Sequence, residues 1–143
     1  TKKAKQGQRG ELNEEYSKRF PIIEEIINSI TTFDDCLWLA VAKVSPKIGT
    51  IKRHSDKGID KMNAGIQIGK TARIHYCLQT NPEAYFELQD LQGRTNTYYM
   101  KQGEYWYMDK RKPHTVYNKG DTFRYHMIFD MKMTQSVHDN LII

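Results

Sequence analysis

The sequence predicts a single mainly-β domain, a jelly roll of short antiparallel strands behind one leading helix. Three observations carry this. Apolar residues repeat at helical spacing in one stretch near the start, at Ile22, Ile23, Ile26, Ile27 and Ile30. From residue 36 onward, short β-textured runs follow one another with turn residues between them. No helical stretch recurs between those runs, as a parallel βαβ fold would require. A chain of 143 residues suits one core. The reading is therefore a basic flexible tail over residues 1–10 and one domain over residues 11–143.

Residues 1–10 hold Lys, Gln and Gly without apolar periodicity and are expected to be a mobile tail. The helix follows Pro21, which suits a first helical turn, and Glu24 and Glu25 lie near its positive end. Its isoleucine stripe is expected to pack on a sheet. The first strand is Cys36 to Val44, stopped at Ser45-Pro46. Further strands are expected near 49–54, 72–79, 84–89, 95–101, 104–109, 114–118 and 122–132. Turns are marked by Lys57-Gly58, Asn81-Pro82, Leu91-Gln92-Gly93, Gln102-Gly103 and Asn118 to Asp121. About eight short strands of this kind close into a jelly-roll or cupin-like barrel. The longest interruption, Lys57 to Lys70, is expected at the barrel mouth, where a loop can act as a lid.

Composition excludes several classes. Hydrophobic residues make up 38% and charged residues 27% of the chain, which argues against wholesale disorder. No apolar run approaches the ~18 residues of a membrane span, and no hydrophobic signal segment follows the basic start. Neither insertion nor secretion is expected. Cys36 and Cys77 lie in strand-like contexts without redox or zinc spacing, so reduced thiols in the cytoplasm are expected. Of the net charge of +5, Lys2, Lys3, Lys5 and Arg9 carry four, which leaves the body at +1 and argues against a nucleic-acid partner.

The candidate chemistry begins at His54-Ser55-Asp56, which sets an imidazole and a carboxylate two residues apart at a strand end. His114, sixty residues later, is the expected third ligand. Two imidazoles and one carboxylate on one face of a metal leave the opposite positions open, the arrangement of non-haem Fe(II) oxygenases. Arg124, ten positions beyond His114, can grip a co-substrate carboxylate through two parallel hydrogen bonds. Antiparallel pairing of its strand with that of His114 is expected to bring the two together. Arg73 and His75 alternate in phase, so an inward Arg73 needs a carboxylate partner from protein or ligand. Lys57, Lys61, Arg94, Lys101 and Arg111 suit either an acidic substrate or a solvated surface, and the surface is the simpler reading.

Five segments together resemble the aspartyl/asparaginyl β-hydroxylase family. They are Ile51-Lys52-Arg53-His54-Ser55-Asp56, Ala72 to Leu78, Gly103 to Asp109, Lys112 to Asn118, and Thr122 to Asp130. The resemblance spans roughly residues 37 to 131 and is closest to the branch with His-x-Asp, which includes bacterial proline hydroxylases. It implies a double-stranded β-helix fold and Fe(II)/2-oxoglutarate-dependent hydroxylation of an Asp-, Asn- or Pro-like side chain, with release of succinate and carbon dioxide. By the same resemblance His54, Asp56 and His114 bind the iron, Arg124 holds the distal carboxylate of 2-oxoglutarate, and Arg73 and His75 lie near its metal-bound end. The substrate is expected to be a small molecule or a short peptide. Two alternatives stand beside this reading, a non-catalytic metal-binding cupin-like module and a nucleic-acid-modifying oxygenase that uses the basic arm.

Overall fold

Ile23, Ile26 and Ile27 are buried on one side of a two-turn helix, α1 (Ile23–Ile30), whose first turn carries Glu24 and Glu25. They pack on a sheet face made by Ala72, Ile74, Tyr125, Met127, Phe129 and Met131, with Ile30 partly buried against them, so the predicted stripe is core except at Ile22, which is exposed. Burying each isoleucine contributes about 1.5–3 kcal/mol relative to exposure. The computed structural model of the protein describes residue 18 and residues 21–31, 35–56, 63–109 and 111–140. The expected basic tail at 1–10 and the first part of the expected lid, 57–62, lie outside the described residues.

Eight strands follow: β1 (Cys36–Val44), β2 (Gly49–His54), β3 (Thr71–Gln79), β4 (Ala84–Gln89), β5 (Thr95–Tyr98), β6 (Tyr105–Tyr107), β7 (His114–Asn118) and β8 (Arg124–Lys132). They form two four-stranded sheets with the orders β1-β8-β3-β6 and β2-β7-β4-β5. All the strand pairs are antiparallel. This alternation between two sheets is jelly-roll topology, as the strand pattern predicts. Gly93 and Gly103 take φ of 80° and 87°, a backbone form that favours glycine, at two of the predicted turns. A short helix, α2 (Gln135–Asn140), was not anticipated; its Val137 joins the cluster under α1. Among the described residues no helix is long and apolar enough to cross a membrane.

One expectation is corrected by the sheet order. β7 pairs with β2 and β4, whereas β8 pairs with β1 and β3. Arg124 and His114 are therefore not brought together by strand pairing; their strands belong to opposite walls of the barrel. The turn between them crosses from one sheet to the other, and Asn118 fixes it. This fully buried amide donates to the carbonyls of Val44 at 3.0 Å and Thr122 at 2.8 Å. Its oxygen accepts from Asn81 Nδ2 at 2.9 Å and from the Gly120 amide at 3.3 Å.

β3 and β8 are covered on both faces, which explains why neither reads as a simple alternation of apolar and polar residues. One face meets α1. The other turns Arg73, His75 and Cys77 of β3, with Arg124, His126 and Asp130 of β8, toward the opposite sheet. Register sets these side chains in rungs across β1, β8 and β3: Trp38, Asp130 and Arg73, then Ala40, Ile128 and His75, then Ala42, His126 and Cys77. A second apolar cluster, built from Val44, Phe86, Met100, Met108 and Val116, fills the barrel between the sheets.

Candidate metal centre and its surroundings

His54 and His114 are direct partners across the β2–β7 ladder, which puts their rings 4.4 Å apart, centroid to centroid. Each ring is turned by its own chain. His54 Nδ1 lies 2.7 Å from the Lys52 carbonyl oxygen and His114 Nδ1 lies 2.9 Å from that of Lys112. A carbonyl only accepts, so both Nδ1 atoms carry the hydrogen and both Nε2 atoms present a lone pair. Such an outer hydrogen bond is the usual way of holding a metal-binding imidazole.

Asp56, two residues past His54 and beyond the end of β2, completes the set. Its Oδ1 stands 3.2 Å from His54 Nε2 and 3.6 Å from His114 Nε2. One ligand atom from each of the three residues falls within 4.8 Å of the others, so the triad is able to hold a metal ion. Burial pulls the His114 imidazole below the usual histidine range, with a smaller opposing effect of the Lys112 carbonyl and Asp56, and this favours the neutral ligand form.

Arg73 is inward, and its partners come from the protein. Nε and Nη2 donate to the two oxygens of Asp130, each at 2.8 Å, and Nη1 donates to Asp56 Oδ2. The guanidinium carbon also sits 4.7 Å from the centre of the Trp38 ring. The position expected near a co-substrate is thus engaged by Asp56 and Asp130. Sequence reading left Asp130 and Trp38 out of the site; the signal for Asp130 was its phase with Arg124 and His126 along β8.

Arg124 has the opposite character. It is 3% exposed, and among the described residues no carboxylate pairs with it. Burial lowers its pKa to about 10, so it stays charged at neutral pH. Nη2 lies 3.1 Å from His126 Nδ1. Because a guanidinium only donates, that nitrogen accepts, and the hydrogen of neutral His126 sits on Nε2. Burial holds both His126 and His75 far below the usual histidine range, hence neutral. His126 Nε2 and His75 Nδ1 are buried without hydrogen-bond partners among the described residues. Arg124, Arg73 and His114 all act on the ionisation of His75, which places it between the triad and the buried arginine.

The remaining cationic candidates are surface groups. Arg94 pairs with Asp90 and Arg111 with Asp109, each at 2.8 Å and exposed. Lys101 is exposed, while Lys57 and Lys61 lie outside the described residues.

A family model described as aspartyl/asparaginyl beta-hydroxylase matches residues 5–134. The chain belongs to this family. Several solved structures are similar to this hydroxylase-family chain. One is a predicted oxalate decarboxylase from Thermotoga maritima, 17% identical, covering 76% of this chain and 73% of that one with a TM-score of 0.44. Another is a cupin protein from Bacteroides fragilis, 10% identical over 68% and 66%, with a TM-score of 0.43. A cupin domain from Bordetella pertussis is 16% identical over 66% and 81%, with a TM-score of 0.42. A search among curated proteins finds no match for the chain.

Proposed function

We propose that the protein is an Fe(II)- and 2-oxoglutarate-dependent dioxygenase that hydroxylates an amino-acid or peptidyl side chain. The charge balance of the barrel carries this reading. Among the described residues, Asp56, Asp130, Arg73 and Arg124 are enclosed charged side chains, with side chains of the first three 17%, 3% and 11% exposed, and their charges cancel. A bare dication would leave two uncompensated positive charges in a poorly solvated space, which is costly. A dicarboxylate restores neutrality. Buried Arg124, with which no carboxylate pairs among the described residues, supplies donors for one of its carboxylates.

Bound Fe(II) and 2-oxoglutarate would supply the oxidative decarboxylation of the 2-oxo acid to succinate and carbon dioxide, coupled to insertion of one oxygen atom into a C–H bond. His54 and His114 offer Nε2, and Asp56 offers Oδ1, from one side of the metal position. Arg124 orients the far carboxylate, and His126 steadies the guanidinium by accepting at Nδ1. Phe86, Met100, Met108 and Val116 keep that end dry. The His54 side chain is 42% exposed, so the triad opens to solvent on its side, where a substrate can approach.

Anaerobic titration with Fe(II) and then 2-oxoglutarate tests the reading: a weak visible charge-transfer band is expected only when both are present. Under air, free amino acids and short peptides are screened for succinate release, and the added oxygen is located by mass. Full 2-oxoglutarate-dependent succinate formation by His54→Ala would refute the assignment. Metal uptake without the band or succinate would instead support a non-catalytic metal-binding module.

A further inference from the structure

His54 and His114 lie inside paired strands and are aimed by their own carbonyls, but Asp56 has neither support. β2 ends at His54, and Asp56 follows in irregular chain. What holds its carboxylate is Arg73, which takes Oδ2 and leaves Oδ1 facing both imidazoles. Arg73 is in turn held from two sides. Asp130 grips Nε and Nη2 as a two-point fork, and Trp38 covers the guanidinium face. All three come from one rung of the β1-β8-β3 sheet, so backbone register sets their spacing.

We infer that Asp130 is a positioning residue for the metal centre, acting through Arg73 to hold Asp56 as a single-oxygen ligand and to leave its negative charge available to the metal. The inference rests on the metal-centre reading above. Its electrostatic part follows from simple addition. Without Asp130, the +1 of Arg73 would cancel the −1 of Asp56 and repel a dication; with Asp130, the trio keeps a net charge of −1. Its geometric part follows from the fork, because two parallel hydrogen bonds fix the plane of the guanidinium and hence the direction of Nη1. Trp38 limits the remaining freedom from above.

The test uses cobalt(II) as probe, with affinity read by competition against a chelator and geometry read from the visible absorption of the bound ion. Asp130→Asn is expected to weaken cobalt binding by about 10–100-fold, the usual scale for an outer partner of a metal ligand, and to change the spectrum. In an Asp56→Ala background the same substitution is expected to leave the spectrum unchanged and to lower affinity by clearly less, since the carboxylate it positions is gone and only the unpaired charge of Arg73 still acts. The double variant Arg73→Met/Asp130→Leu removes the ion pair at similar volume, a kind of exchange that usually preserves folding. It should change the cobalt spectrum as Asp130→Asn does, because Asp56 loses its holder, while affinity falls less because the −1 charge of Asp56 stays, and the spectrum decides the matter if Asp130→Asn fails to fold. Thermal unfolding of the metal-free chains verifies that folded proteins are compared.

Wild-type affinity and spectrum in either variant, or an equal loss with Asp56 already removed, overturns the role of Asp130. A wild-type chain that takes up no cobalt refutes the metal centre and the role of Asp130 with it. Cobalt uptake by wild type together with an unaffected Asp130→Asn removes this role alone and leaves the metal centre standing.

Discussion

His54 and His114 donate Nδ1–H to the carbonyl two residues earlier, so each ring is aimed by its own strand. Among the described residues Arg124 has no such hydrogen-bond partner beyond His126, and its role is the easiest to isolate. Arg124→Lys keeps the charge but loses the planar fork, and each charge-assisted hydrogen bond contributes about 1.5–3 kcal/mol. The expected result is a roughly ten- to hundredfold rise in KM for 2-oxoglutarate, with kcat affected less, measured by succinate release. The two thiols give a separate check. Burial raises both the Cys36 and the Cys77 thiol to about 11, above the ordinary 9.0, so both are protonated near neutrality. Alkylation at pH 8 should be slow in the native chain and fast in denaturant. Because the folded value lies above the unfolded one, this contribution to stability is full below pH 9 and is lost as pH rises through about 11. Denaturant melts across that interval should show falling stability.

At the scale of elements, α1 and the β7–β8 turn have different tasks. α1 closes the outer face of β3 and β8 and touches no residue of the triad. Ile27→Ala, at a fully buried position, should cost about 2–5 kcal/mol in denaturant unfolding. Cobalt affinity of the folded fraction should remain unchanged. The turn instead directs the chain from one sheet to the other. A Cβ on Gly120 would meet Asn81 Oδ1 at 2.0 Å, within the network that ties Asn81, Asn118 and Thr122. Gly120→Ala should therefore destabilise by about 1–3 kcal/mol. It should also weaken 2-oxoglutarate binding, since Arg124 opens the strand that follows.

For the whole molecule, the proposed function predicts that metal and dicarboxylate depend on each other, because the charges of Asp56, Asp130, Arg73 and Arg124 cancel. Fe(II) and 2-oxoglutarate together should raise the melting temperature by more than the sum of each alone, because either one by itself leaves the interior charged. A ligand at a hundred times its Kd adds about 2.7 kcal/mol of stability. Strictly additive shifts in anaerobic thermal scans would contradict this coupling. Binding should also be less sensitive to salt than a surface ion pair, since screening acts weakly on enclosed charges.

Local pattern was enough for the strands, most of the helix stripe and the turns within the described residues, because alternation and turn chemistry are written in neighbouring residues, and it named His54, Asp56 and His114, whose ligand atoms lie within 4.8 Å of one another. His54-Ser55-Asp56 is the clearest case. The alternation along the last strand also put Arg124 and His126 on one face, while Asp130, in the same phase, was left out. Only the tertiary structure decided that β7 and β8 stand in opposite sheets, that Arg73 is taken by Asp56 and Asp130, and that Arg124 is not. The physical reason is that a charge reads alike in sequence whether or not it is neutralised. Its partner lies 57 residues away for Arg73 and is lacking among the described residues for Arg124. Which of the two arginines has its charge left over for a ligand is settled by register across β1, β8 and β3.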